Sequence, residues 1–109
     1  MAQRIFRIIF DGIRRWNENT SLDLKILSSL EYLDLQHYKK VKFDSDAFNA
    51  FLSLQILLLD SCLHLEEVSK GYGNLTSLQQ LSFANCKNLK TIHARFKGMT
   101  NLKKLWLDG

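Results

Sequence analysis

The sequence predicts an α/β fold: a solenoid with short parallel strands on its concave face and loops or short helical turns on its convex face. Three observations predict it. In LTSLQQLSFANCKNLKTI the apolar residues Leu75, Leu78, Leu81, Phe83, Cys86, Leu89 and Ile92 fall at steps of 3, 3, 2, 3, 3 and 3. A helix keeps steps of 3 and 4 and a strand alternates at 2 throughout, so this stretch is a short strand framed by irregular turns. Next, the pattern recurs on sliding the chain against itself by 24 residues. Finally, the segments after the strands recur as well, with Phe48, Tyr72 and Phe96 in one column and Leu27, Phe51, Leu75 and Met99 in another.

Taken from the N-terminus, the first unit carries Ile5, Ile8, Phe10, Ile13 and Trp16, offset by 25 residues from the second. The second carries Leu30, Leu33, Leu35, Tyr38 and Val41, and the third Leu54, Leu57, Leu59, Cys62 and Leu65. The fourth carries Leu78, Leu81, Phe83, Cys86 and Leu89, and Leu102, Leu105 and Leu107 open a fifth. Residues 1–109 therefore form one domain of about four 24–25-residue repeats plus the first strand of a fifth. Such units bury no core alone and need roughly three stacked neighbours.

A chain 46% hydrophobic and 24% charged is of ordinary globular composition. It has no proline and no glycine- or serine-rich linker that would mark a second domain. The opening MAQRIFRIIF sets an arginine at each end of a very short apolar run, a poor signal peptide. No apolar run is long enough to span a bilayer. Cys62 and Cys86 in core columns, without a secretion signal, favour a reducing compartment, so the expected location is cytoplasmic or nucleo-cytoplasmic.

Strand alternation converts the repeat into a map of its surface, because residues between the core positions face outward. One outward column reads Arg7, Tyr32, Ile56, Gln80 and Lys104. The next reads Ile9, Asp34, Leu58, Ser82 and Trp106, and the third Asp11, Gln36, Asp60, Ala84 and Asp108. Ile9, Tyr32, Ile56, Leu58 and Trp106 have no structural need to face solvent. Ringed by Asp34, Asp60 and Gln80, they resemble an apolar anchor with a polar rim, the anatomy of a protein-binding face. On this map Ser82→Asp should be tolerated and Leu81→Asp should not. Just past the strands, Arg14, Arg15, Lys39, Lys40, Lys42, Lys87 and Lys90 gather into a basic edge that carries much of the net charge of +4. This edge suits an acidic surface or a neighbouring domain. Nucleic acid is disfavoured, because no aromatic residues interleave the charges and no recognition helix is apparent.

The cysteines share a column and are expected to be structural, either satisfying backbone groups where the strand bends or filling a small buried space. His37, His64 and His93 lie in different columns, so no zinc site is expected. KGYGNLTS holds a Gly-x-Gly but neither the third glycine nor the preceding strand of a dinucleotide fingerprint. Its glycines are expected to let the backbone turn on the convex side. No serine–histidine–acid set falls on meeting columns, so neither catalysis nor a cofactor is expected. Asn19-Thr20-Ser21 and Asn74-Leu75-Thr76 match the glycosylation triplet, which matters only in a secreted chain.

The wording NLTSLQQLSFANCKNLKTI, followed by KGMTNLKKLWLDG, resembles the leucine-rich repeats of plant intracellular nucleotide-binding disease-resistance receptors, whose repeats run LxxLxxLxLxxCxxLxxLP. The resemblance covers nearly the whole chain and is close in wording over its last half. Ser69 and His93 stand where that pattern has proline. The NxLxGxIP wording of receptor-kinase ectodomains is absent. The resemblance implies a non-enzymatic recognition module that senses a pathogen effector or a guarded host protein, or restrains a nucleotide-binding domain. By that analogy the concave residues read the partner and the basic edge contacts the rest of the receptor. The rival readings are a substrate-recruiting adaptor of a ubiquitin ligase and a purely structural repeat segment. With no polar capping unit at either end, self-association through the open ends is also expected to be feasible.

Overall fold

A computed structural model describes residues 28–38 and 45–107. The expected first unit, Arg7, Ile9, Arg14 and Arg15 with it, lies outside those residues, as do Lys39, Lys40, Val41, Lys42 and Asp108. Within them the order is β1 (Tyr32–Asp34), α1 (Ser45–Ala50), β2 (Ile56–Leu58), β3 (Glu67–Val68), a 3₁₀ helix (Lys70–Asn74), β4 (Gln80–Ser82), β5 (Thr91–Ile92), a second 3₁₀ helix (Phe96–Gly98) and β6 (Lys104–Trp106).

The molecule is an α/β fold built on parallel pairing. β1, β2, β4 and β6 form one four-stranded sheet in that order, and β3 and β5 form a second. Leu33 pairs with Leu57, Leu57 with Leu81 and Leu81 with Leu105, so each strand sits one 24-residue step from its neighbour. The second sheet keeps the same step, pairing Glu67 with Thr91 and Val68 with Ile92. The single register follows from the pleat: a slip by one residue would turn every buried leucine to solvent.

The core lies behind the larger sheet. Leu33, Leu57 and Leu81, and after them Leu35, Leu59 and Phe83, are wholly buried. Each contributes roughly 1.5–3 kcal/mol of burial. α1 and the first 3₁₀ helix occupy the same place in successive 24-residue steps and bring Phe48 against Tyr72, with ring centroids 4.7 Å apart. Tyr72 in turn meets Phe83 edge-on at 5.5 Å. Gly71 fits here because a side chain would not: a Cβ would stand 2.3 Å from Phe48 Cδ2. Gly71 and Gly73 both lie in the 3₁₀ turn Lys70–Asn74, and Gly71 has a packing role besides. No described glycine has positive φ, and what Gly71 permits is the close approach of a ring.

The left-handed positions lie elsewhere. His37, Ser61 and Asn85 have φ of 69°, 59° and 59° and follow each strand at the same interval. Each is the third residue of a turn closed by hydrogen bonds from Tyr38 to Leu35, Cys62 to Leu59 and Cys86 to Phe83. The cysteines complete two of these turns. The Cys62 thiol donates to the Leu35 carbonyl at 3.2 Å and the Cys86 thiol to the Leu59 carbonyl at 3.0 Å. Core thiols thus tie the ends of β2 and β4 to the strands before them, the first of the two structural uses that the shared cysteine column suggests.

Candidate protein-binding face

The parallel register assembles the outward columns. Tyr32, Ile56, Gln80 and Lys104 form one row across the sheet, and Asp34, Leu58, Ser82 and Trp106 the next. Tyr32, Ile56 and Leu58 are half-buried, Lys104 is exposed, and Trp106 is 39% exposed. A continuous apolar strip therefore runs from Tyr32 through Ile56 and Leu58, with Trp106 beyond Ser82.

Ser82 departs from expectation. It faces outward by register yet is only 3% exposed, because it has two heavy side-chain atoms and lies between Leu58 and Trp106. Its hydroxyl accepts a hydrogen bond from the Ala84 N–H at 3.3 Å. Ser82 is thus a turn-forming residue rather than an accessible contact. Asp34 acts in the same way two strands before it in the column, accepting from the Gln36 N–H at 3.0 Å. An oxygen two residues before an N–H is the local pattern that aspartate and serine favour at turns. One oxygen of Asp34 is consequently engaged, and the rim charge it offers is smaller than its position suggests. Asp60 is half-buried, and its Oδ1 is shielded from solvent with no hydrogen-bond partner among the described residues.

Of the basic edge, the described members are Lys87 and Lys90, and both are exposed. Lys87 joins His37, Ser61, Leu63 and Asn85 around an open groove of about 460 Å³. Lys90 does not line it; its backbone instead opens the β3–β5 ladder by donating to the Glu66 carbonyl. The groove was missed in the sequence because it is built on the three left-handed residues. Asn85 was the sole readable signal, since asparagine tolerates that conformation where histidine and serine seldom advertise it. Leu63, 48% exposed, gives the groove an apolar flank.

The two thiols offer little reactivity. Burial above all, with the neighbouring Cys86 sulfur next, pushes the Cys62 thiol up to about 12, and burial raises Cys86 as well. The thiolate is the nucleophile and the metal ligand, so both are inert at neutral pH. Among the described residues no three histidine, cysteine or acidic side chains gather as a metal set, and no helix is long and apolar enough to cross a membrane. No protein-family model matches the chain, and no curated protein matches it significantly.

Proposed function

We propose that the chain is a leucine-rich-repeat solenoid acting as a non-enzymatic protein-recognition module, with the outward face of its larger sheet as the reading surface. The single observation that carries this reading is the unbroken register. It gathers Tyr32, Ile56 and Leu58 from two neighbouring strands into one apolar strip, with Trp106 39% exposed beyond it. Apolar side chains with a polar rim are the composition of binding hot spots. The wording of the last two repeats supports a role in plant immunity, sensing an effector or guarded host protein or restraining a nucleotide-binding domain. A cytoplasmic location accords with two free core thiols.

The test is the triple variant Ile56→Ser, Leu58→Ser, Trp106→Ser, compared with the parent by quantitative affinity purification from cell extract and by circular dichroism. Recognition predicts loss of specific partners with an unchanged spectrum. Equal partner recovery by a folded variant would return the sheet face to a structural role. Partners dominated by ubiquitin-ligase scaffold proteins would instead favour the adaptor reading.

A further inference from the structure

The turns that follow the strands carry a second surface, apart from the sheet face. The open groove of about 460 Å³ found there is lined by His37, Ser61, Leu63, Asn85 and Lys87. Hydrogen bonds between repeats hold both of its walls. On one side the His37 N–H donates to the Asp60 carbonyl at 2.9 Å and the Ser61 N–H to the Ala84 carbonyl at 2.8 Å. These bonds stack the left-handed residues His37, Ser61 and Asn85 one per turn, at the parallel-strand step of about 4.8 Å. On the other side the Asn88 amide donates to the Leu63 carbonyl at 2.6 Å, which ties the Leu63 turn to the Lys87 turn.

Four of the lining side chains, His37, Ser61, Asn85 and Lys87, can donate hydrogen bonds. Within the described residues none of the four side chains is engaged in a hydrogen bond or an ion pair. The ion pair among those residues joins His93 to Glu67, so it leaves the Lys87 charge uncompensated. No carboxylate is among the lining residues. Asp60 precedes Ser61 in the chain, but its side chain does not line the groove and its Oδ1 is shielded from solvent. Leu63, 48% exposed, is the apolar member.

We propose that this groove is a phosphate site that takes a phosphorylated serine or threonine of a partner protein. The phosphate stands beside the Lys87 ammonium and accepts from the Asn85 amide and the Ser61 hydroxyl. An apolar neighbour of the phosphorylated residue covers Leu63. A phosphate ester carries about −1.5 to −2 charges and three acceptor oxygens, which suits donors arriving from successive turns better than a singly charged carboxylate does. The groove has no phenyl, phenol or indole ring on which a base could stack, which disfavours a nucleotide or RNA.

The experiment uses the full chain and fluorescein-labelled peptides read by anisotropy. One peptide carries phosphoserine beside leucine, and two others replace the phosphoserine with serine or glutamate. The phosphopeptide should bind at least about tenfold tighter than either. Lys87→Gln should cost about tenfold. Asn85→Gly, which keeps the left-handed backbone and removes the amide, should cost about threefold or more. Lys90→Gln is the control, since Lys90 is exposed without lining the groove; it should change binding by less than about twofold. Circular dichroism checks that each variant is folded. Ile56→Ser with Leu58→Ser should leave this binding intact, so the groove and the sheet face succeed or fail separately. In an amide-correlation NMR spectrum, inorganic phosphate should shift the Ser61 and Asn85 resonances at an ionic strength held constant with chloride. Absence of those shifts overturns the proposal. So does equal binding of the phosphorylated and glutamate peptides, or a loss from Lys87→Gln no greater than that from Lys90→Gln.

Discussion

Leu81 and its neighbours show how sharply one residue divides inside from outside. Leu81 is wholly buried, and Leu81→Asp removes roughly 1.5–3 kcal/mol of burial and adds a desolvated charge, so the domain should unfold in a thermal melt. Gln80→Asp, on the outward face, should shift stability by no more than about 0.5 kcal/mol. Ser82→Asp is not the neutral control that alternation alone suggests, since Ser82 is covered and its hydroxyl holds the Ala84 N–H. Ser82→Ala should cost about 1 kcal/mol through loss of that bond. Gly71→Ala should cost about 1–3 kcal/mol by forcing Phe48 aside. Gly73→Ala should be near neutral, because a Cβ there would meet nothing closer than the Arg95 carbonyl at 3.9 Å. A urea titration of the two variants checks the contrast. The thiols predict a pH dependence whose sign is fixed. Cys62 ionises in the unfolded chain near 9.0 and in the folded one only near 12, so the folded state retains the proton between those values. Its contribution is complete below pH 9 and falls as pH rises, by up to about 1.4 kcal/mol per pH unit. Denaturant midpoints from pH 8 to 10.5 should decline, and decline less steeply in Cys62→Ala.

At the scale of elements, the strands and their step were legible in the sequence because burial enforces a strict pleat. Leu57, Leu81 and Leu105 are separated by 24 residues in the chain and paired in the sheet. The aromatic column was legible for the same reason, and Phe48 and Tyr72 meet with their rings tilted. The turns were less readable. His37, Ser61 and Asn85 share a left-handed conformation but have no common side-chain chemistry, so only backbone geometry reveals the column. Asn85→Gly should preserve the turn, and Asn85→Val should destabilise by roughly 1–2 kcal/mol, since a β-branched residue is strained at positive φ. The burial of Ser82 was equally hidden, because it depends on the sizes of Leu58 and Trp106 on the flanking strands rather than on its own place in the pattern.

For the whole molecule, the repeated register gives a surface with two distinct characters. The sheet face carries an apolar strip beside Asp34 and Asp60, and residues 68–107 carry seven lysines and arginines and no acidic residue. The most direct test of sheet-face recognition is site-specific photo-crosslinking in cells, with a benzophenone side chain placed in turn at Leu58, on the outward strip, and at Asn88, exposed beyond the strand ends. Recognition by the sheet face predicts discrete cross-linked products from Leu58 that are absent from Asn88. Identical products from both positions, or none from Leu58 in a folded and expressed chain, would contradict it.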